Sequence, residues 1–217
     1  MKTIPEASDV ADYLKSHPEF FNHYPDLLAD IVIPDPHGGR AISITERQLG
    51  ALRDRTRQLE AKLAELIRFG EENDAIGEKV HYLAIELIDA DSFAAVVHVL
   101  NTHLGGAFTV PHVALRMWGF PALEEQAEYS AADEETRTFA AGLKQPYCGP
   151  GTGLAALSWL ASGVRSVALV PLRRGEETVG LLTLGSEDAQ RFYPEMGTLF
   201  LTRIGDIAAA ALLRTLK

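Results

Sequence analysis

The sequence contains a single cysteine, Cys148, among 217 residues. One thiol cannot form a disulfide within the chain, and it cannot build a metal site that needs several cysteines. No apolar run approaches the ~20 residues that a membrane-spanning helix requires. The first ten residues also lack the apolar segment of a secretory signal. These features predict a cytoplasmic protein that does not enter a membrane.

Basic residues are scarce as well, because 20 Lys and Arg oppose 30 Asp and Glu, for a formal net charge of −10. The charge is uneven: residues 1–42 carry −4, residues 43–69 carry +2 and residues 70–217 carry −8. Non-specific nucleic-acid binding draws most of its affinity from neutralised phosphates. Nucleic acid is therefore not expected as a partner, and only residues 43–69 could be argued to bind it.

The familiar motifs of catalysis and metal binding are missing too. The seven histidines show no HExxH pattern and no pair spaced by four residues. The glycine-rich residues 149–153 lack the lysine of a phosphate-binding loop. No nucleophile and base can be paired from their spacing alone. We therefore expect a protein that is not an enzyme, with no catalytic residue and no metal ligand, and the sequence assigns no cofactor.

A heptad pattern is the clearest signal that is present. Six positions follow a 3-4-3-4-3 spacing, which is typical of a coiled-coil seam: Leu49, Leu52, Thr56, Leu59, Leu63 and Leu66. The pattern predicts a coiled-coil helix over residues 43–77 that forms a homodimer through the five leucines. In a parallel dimer, Arg55 would pair with Glu60 of the other chain.

Gly70, Asn73 and Gly77 occupy the next three seam positions. Glycine within a helix costs about 1 kcal/mol relative to alanine, and it offers nothing to a partner helix. The coiled coil is therefore expected to end or kink near residues 70–77, even if the backbone stays helical.

Residues 1–42 are predicted to form short helices ahead of the coiled-coil helix, which we call the rod. They contain more apolar surface than so short a segment can bury alone: Phe20, Phe21, Leu27, Leu28, Ile31 and Ile33. The region must pack on the rod, on the later domain or on a partner subunit. The alternative is that residues 8–33 dock another protein.

Residues 78–217 read as one α+β domain. Helices are expected around residues 80–88, after Ser92, over 133–143 and over 194–216. Ile88 is expected on the apolar face of the first of these helices, and Leu199 on the buried stripe of the last. Strands are expected over 112–120, 166–173 and 178–186, with a weaker one at 128–130. The two strands of the 166–186 hairpin are apolar on both faces, so the sheet is expected to be covered on each side. Within the first of them, Pro171 lacks a ladder donor and predicts a bulge or a free edge.

This order of elements resembles a GAF domain, and the hairpin and closing helix carry the resemblance most closely: SVALVPLRRGEETVGLLTLGS and RFYPEMGTLFLTRIGDIAAAALL. The chain also resembles the YigA-type family of uncharacterised bacterial GAF-related proteins in four stretches: YLKSHPEFF with YPDLL, SITERQLGALRDR, PYCGP and GSEDAQRFYPEMGTLFL. The resemblance covers roughly residues 8–214. It implies a GAF-like antiparallel sheet with helices on both faces, preceded by a long coiled-coil helix and a short helical N-terminal region.

GAF domains are regulatory modules that bind cyclic nucleotides, chromophores, amino acids or metals, and many dimerise through flanking helices. The resemblance therefore implies a dimeric signalling protein that senses a small molecule. An adaptor without a ligand is the alternative, and an enzyme ranks third. The asparagine-lysine-phenylalanine signature of cyclic-nucleotide GAF domains is missing. Cys148 could suggest a bilin attachment or a redox thiol, but a structural residue at a strand end is the better interpretation.

The most informative candidate site is the pair Arg116 and Trp118. Alternation places both on one face of a strand whose other face is apolar, and in a GAF domain the ligand lies on the face away from the terminal helices. A cation beside an aromatic wall can bind an anionic small molecule. The expected ligand-binding set adds four aromatic residues: Tyr129, Phe139, Tyr147 and Trp159. The alternative is that Arg116 pairs with a carboxylate from residues 124–135.

Overall fold

A computed structural model describes residues 5–33, 42–123, 125–126, 129 and 132–216 of the chain. The chain divides into two compact units, Met1–Gly70 and Glu71–Lys217. We describe each unit by itself.

The first unit begins with three short helices: α1 (Ala7–Ser16), α2 (Phe20–His23) and α3 (Pro25–Asp30). Two short strands follow, β1 (Val32–Ile33) and β2 (Ile42–Ser43), which pair in antiparallel fashion. Helix α4 starts directly after β2 and extends over Ile44–Asp89. The short N-terminal helices agree with the sequence prediction, whereas the small two-stranded sheet was not predicted.

Helix α4 continues without interruption through Gly70, Asn73 and Gly77. The weak seam positions therefore do not end the helix. The seam leucines stand in solvent, with exposed fractions between 48% for Leu49 and 66% for Leu66. Among the described side chains of residues 5–33 and 47–70, none is buried.

The second unit contains the C-terminal part of α4, and its described residues form seven further helices and strands. The helices are α5 (Phe93–Thr102), α6 (Glu134–Gly142) and α7 (Leu199–Thr215). The strands are β3 (His112–Met117), β4 (Tyr147–Pro150), β5 (Ser166–Arg174) and β6 (Glu177–Ser186). A π-helical turn at His103–Ala107 and 3₁₀ turns at Pro121–Leu123 and Ala155–Trp159 complete the unit. The four strands form one antiparallel sheet in the order β3-β6-β5-β4.

Alternation along the strands gives this sheet two apolar faces. One face packs on α4, α5 and α7 and forms the first core, which includes Leu83, Leu87, Val96, Leu100, Met117, Val170, Leu182, Ile204 and Leu212. The other face lies under α6 and the 155–159 turn and forms the second core, which consists of Ala140, Ala156, Leu169 and Leu181 with partly buried Trp118, Leu143, Tyr147, Leu154 and Trp159. The prediction of a sheet covered on both sides is confirmed.

The β5–β6 hairpin closes through a two-residue turn in which Gly175 has a φ of +64°, a value that favours glycine. Strand β4 pairs only with residues 166–169 of β5, so among the described residues no strand pairs with β5 on that side at Pro171. A register shift follows between Leu172 and Arg173. The sequence predicted either a bulge or a free edge at Pro171; the structure has the free edge there, with the register shift just beyond it.

Three expectations for this domain need correction or fall outside the described residues. Helix α7 begins at Leu199 rather than at residue 194, and Leu199 is 59% exposed instead of buried. Ile88 is also exposed, because α4 turns Leu83 and Leu87 toward the sheet and Ile88 away from it. Of the strand expected at 128–130, only Tyr129 is described, and it is not in a strand.

Candidate functional site

Strand β3 sets the orientation of the predicted pair. Leu115 and Met117 are buried in the first core, and Val113 packs against it. Arg116 and Trp118 alternate with these residues, and Trp118 packs on the second core. The predicted separation of the two faces is confirmed. Arg116 and Trp118 therefore lie on the side of α6 and the 155–159 turn, away from the terminal helices.

Each of these two residues has a specific partner. The guanidinium carbon of Arg116 lies 5.0 Å from the ring centroid of Trp159, and its Nη1 donates to the carbonyl of Leu115 at 2.9 Å. The indole Nε1 of Trp118 donates to the carbonyl of Thr178 at 2.8 Å. The guanidinium of Arg137, on α6, lies 5.9 Å from the Trp118 ring. Two arginine–tryptophan pairs therefore border the second core, each in cation–π range.

Tyr147 packs on the second core and contacts the ring of Phe139. Their ring centroids are 6.2 Å apart with the planes nearly perpendicular, a favourable arrangement for aromatic rings. The Tyr147 ring lies over Gly149, where an added Cβ would come within 2.5 Å of the tyrosine hydroxyl. Glycine at 149 therefore makes room for the phenol.

Tyr129 does not join this group. It packs against the first core, with its ring 5.2 Å from the ring of Phe93 in an edge-to-face contact. The structure thus brings together five of the six aromatic and cationic side chains expected at the site, and it places Tyr129 elsewhere.

A cavity of about 250 Å³ lies between α6 and residues 153–156; we call it the α6 cavity. Its lining consists of Glu135, Thr136, Phe139, Gly153, Leu154, Ala155, Ala156 and Leu169. Only Phe139 among these was expected from the sequence. The other lining residues were missed because they carry small or aliphatic side chains in a segment without clear periodicity. A weak signal existed in Asp133, whose type is common at helix N-termini and marks the start of α6.

The N-terminus of α6 is held by its cap. Asp133 Oδ1 accepts from the Thr136 amide at 2.7 Å. The pKa of Asp133 is lowered from its ordinary value, because the carboxylate accepts hydrogen bonds from the side chain and the backbone of Thr136. This cap places Thr136 and Glu135, one turn before Phe139, at the cavity wall. The lining therefore combines one carboxylate and one hydroxyl with an otherwise apolar surface.

Thr183 adds a buried polar group to the same face of the sheet. Its side chain is fully buried, it pairs across the sheet with Leu169, and it lies two residues from Leu181 of the second core. Among the described residues, no group forms a hydrogen bond with its Oγ1. A buried hydroxyl without a partner costs about 1–3 kcal/mol, and such a group calls for a water or a ligand atom as its partner.

Cys148 behaves as a structural residue. It lies in β4, packs in the first core and is 6% exposed. Burial raises its pKa to about 11, so almost no thiolate exists at neutral pH. This agrees with the structural interpretation and disfavours a redox role.

Two histidine–glutamate pairs involve residues that do not line the α6 cavity. His112 Nε2 lies 2.6 Å from Glu187 Oε1, and His103 Nε2 lies 3.0 Å from Glu86 Oε2. Among the described residues, no three His, Cys, Asp or Glu side chains converge on a common point. In the same part of the chain, no helix combines the length and the apolarity needed to cross a membrane.

The antiparallel sheet, its element order and the helices on both of its faces define an α+β domain. The chain belongs to the family described as Protein of unknown function, DUF484, whose model matches residues 2–216.

Curated relatives cover nearly the same length. The chain is 26% identical over 226 residues to Uncharacterized protein YigA of Salmonella typhimurium, with 100% of this chain and 95% of the relative covered. It is 28% identical over 213 residues to the protein of the same name from Escherichia coli strain K12, with 94% and 90% covered. A solved GAF domain of a putative sensor histidine kinase from Pseudomonas syringae pv. tomato is 18% identical, with a TM-score of 0.43, and covers 67% of this chain and 90% of its own.

Proposed function

We propose that this protein is a non-catalytic regulatory module that binds a small molecule in the α6 cavity and works as a homodimer through the leucines of α4. The observation that carries the ligand proposal is the cavity itself, which lies beside the second core on the sheet face away from the terminal helices. It combines an apolar lining with a few polar groups, and this is the usual composition of small-molecule sites.

The residues in and around the cavity are suited to binding a ligand. Phe139 and Leu169 supply apolar contact, and Glu135 and Thr136 supply polar groups at the wall. Arg116, Trp118, Tyr147 and Trp159 border the second core but are not among the lining residues, so in this proposal they support the cavity from outside its lining. Tyr129 is left out, since it packs on the first core. The orphan hydroxyl of Thr183 would gain a partner if a ligand or its water reached it.

The size of the cavity limits the ligand. At about 250 Å³, it lies below the roughly 300–1,000 Å³ of typical drug-sized sites. We therefore expect a small metabolite rather than a dinucleotide or a tetrapyrrole.

A cavity-filling substitution tests the site. Native mass spectrometry of the purified protein should detect a retained small molecule. Ala155→Trp should abolish retention, because Ala155 lines the cavity and is exposed enough to accept a larger side chain. Ala161→Trp is the matched control, since Ala161 is also exposed but does not line the cavity. Equal retention by both variants would contradict the proposed site.

Tryptophan fluorescence provides a second measurement. The only two tryptophans of the chain, Trp118 and Trp159, both pack on the second core. A ligand that enters the α6 cavity should change their emission, and the change should vanish in Ala155→Trp after correction for the added tryptophan. If no metabolite is retained and no extract alters the emission, the adaptor function would replace the sensor, with the exposed N-terminal helices as its docking surface.

A further inference from the structure

The first unit exposes two surfaces of opposite character. Between residues 5 and 33 there are six acidic residues and one lysine, whereas residues 43–69 carry six basic residues against four acidic ones. Both segments also expose large apolar side chains, including Tyr13, Tyr24 and Leu27 before the rod and the five leucines on it. The described side chains of neither segment are buried. The acidic charge of residues 5–33 is complementary to the basic charge of residues 43–69.

The aromatic side chains of the N-terminal helices form one connected cluster. The Tyr13 ring stacks on His17 at 4.4 Å and meets Phe20 at 6.1 Å, and Phe20 meets Tyr24 at 5.0 Å. These rings line a cleft of about 490 Å³, together with Glu19 and His23. We call it the aromatic cleft. Several aromatic faces beside a carboxylate form a site for a cationic group, and the cleft lining contains no lysine or arginine among the described residues.

The first turns of α4 offer such cations. Arg47, Arg53, Arg55 and Arg57 are all exposed. The β1–β2 pairing joins Val32 to Ser43 and Ile33 to Ile42, so α3 ends close to the point where α4 begins. In a parallel dimer the two α4 helices would run about 8–10 Å apart. The N-terminal helices of one protomer would therefore lie near the first turns of the partner's α4.

We propose that the N-terminal helices of each protomer dock on α4 of a second copy of this chain, with an arginine of the partner's helix seated in the aromatic cleft. This inference rests on the proposed dimer. Charge complementarity favours the basic segment of the partner's α4 as the surface on which the acidic N-terminal helices dock. The aromatic cleft favours an arginine from that segment, because a guanidinium can stack on aromatic rings and pair with a carboxylate at the same time.

The second copy is preferred to the chain's own helix for a physical reason. With its own α4 available, Tyr24 remains 59% exposed, and the leucines of α4 remain exposed as well. In the proposed dimer the leucine seam already holds the two α4 helices together, so the N-terminal helices of one protomer can contact α4 of the other. The docked arrangement would cover aromatic surface that is otherwise in water.

Photo-cross-linking of mixed dimers tests the arrangement. Tyr24 is replaced by the photoreactive analogue benzoyl-phenylalanine in unlabelled full-length protein, which is refolded with isotope-labelled wild-type protein. Irradiation should join position 24 to labelled peptides from residues 47–69. Replacement of Tyr193, which is similarly exposed in the second unit, is the control and should capture none of these peptides.

The outcomes separate the two proposals. Capture of only unlabelled peptides from residues 47–69 in the mixed sample would place the helices on their own α4 and overturn the inference. A dimer by sedimentation without capture from residues 47–69 would also overturn it, while leaving the proposed dimer intact. A monomer by sedimentation would overturn both.

A charge-reversal pair gives an independent measurement. Glu19→Lys places a cation in the aromatic cleft and should weaken the dimer about tenfold or more, because each dimer contains two clefts. Glu78→Lys makes the same change at an exposed position of the second unit and should leave the dissociation constant nearly unchanged. Equal dissociation constants for the two variants would contradict the docking of a cation at Glu19.

Discussion

Gly180 lies where β6 passes close to β3. A Cβ at this position would collide with the Met117 sulfur and lie 2.7 Å from the backbone oxygen of Arg116. The backbone oxygen belongs to a paired strand and cannot move without breaking the ladder. Glycine is therefore required here by space rather than by an unusual φ angle.

The Gly180→Ala variant should lower the free energy of unfolding by about 1–3 kcal/mol, the usual cost of overpacking a filled core. Chemical denaturation measures the change. Gly197→Ala is the control, because no described atom lies within 4 Å of its added Cβ. Equal stabilities for the two variants would show that β3 can shift to accept the methyl group.

The pair of His112 and Glu187 predicts a titration. The pKa of Glu187 is lowered from its ordinary value, first because its carboxylate accepts a hydrogen bond from His112 and second because it accepts one from its own backbone amide. Since the folded pKa is the lower one, the stabilisation is fully present above the ordinary carboxyl pKa and is lost as the pH falls through the folded value.

In His112→Ala, the pKa of Glu187 should return toward the ordinary value. A pH titration of the carboxyl carbon by nuclear magnetic resonance measures it in both proteins. The stability difference between them should also shrink as the pH falls through this window. A Glu187 pKa that is unchanged by the substitution would mean that the histidine does not hold the carboxylate.

At the scale of elements, Arg214 connects α7 to the end of α4. Its guanidinium donates to the carbonyls of Leu87 at 3.0 Å and Ile88 at 2.8 Å, and also to that of Ala90. The last carbonyls of a helix have no partner within the helix. A planar guanidinium can satisfy several of them at once, whereas an ammonium group cannot reproduce this geometry.

We expect Arg214→Lys to lower the free energy of unfolding of the second unit by about 1 kcal/mol. The value is small for several lost hydrogen bonds because they are partly exposed to water. Arg203→Lys is the matched control on the same helix, because Arg203 is exposed and stacks only loosely on Phe200 at 5.6 Å. Melting temperatures of both variants provide the comparison. An Arg214→Lys variant as stable as the control would show that water replaces the guanidinium without loss.

The seam of α4 makes the second prediction at this scale. Leu59→Asp with Leu63→Asp should give a folded monomer by sedimentation, because the charges replace two exposed seam leucines that the dimer would bury. Gln58→Asp with Ala61→Asp adds the same charges off the seam and should remain dimeric. The Arg55–Glu60 pair should contribute only a few tenths of a kcal/mol. If the seam variant stays dimeric, the leucines do not form the interface.

At the scale of the whole molecule, buried residues are distributed unevenly. Every described buried side chain lies between residues 80 and 212. The fragment 71–217 should therefore melt cooperatively by itself, since it contains both cores. The fragment 1–70 should show no cooperative transition at concentrations where it is monomeric, because apolar burial supplies most of the free energy of folding. Circular dichroism on heating measures both fragments, and a non-cooperative melt of 71–217 would contradict the division into units.

Much of the fold could be predicted where the pattern is local. The period-two alternation along β3 separates Leu115 and Met117 from Arg116 and Trp118, and it does so in the structure. The serine at 92 caps α5 through a hydrogen bond from the Ala95 amide at 3.3 Å. Side-chain periodicity and capping depend on neighbours within a few residues, so the sequence alone expresses them.

Tertiary structure decided the points that depend on distant contacts. Tyr129 lies in a weakly patterned segment, and only its contact with Phe93 shows which core it joins. The lining of the α6 cavity comes from α6, β5 and the 153–156 segment, three stretches that no local pattern connects. The sequence pattern of strands that are apolar on both faces does not show which face of the sheet is fully packed and which retains a cavity. That outcome depends on the volume of the helices and turns that cover each face.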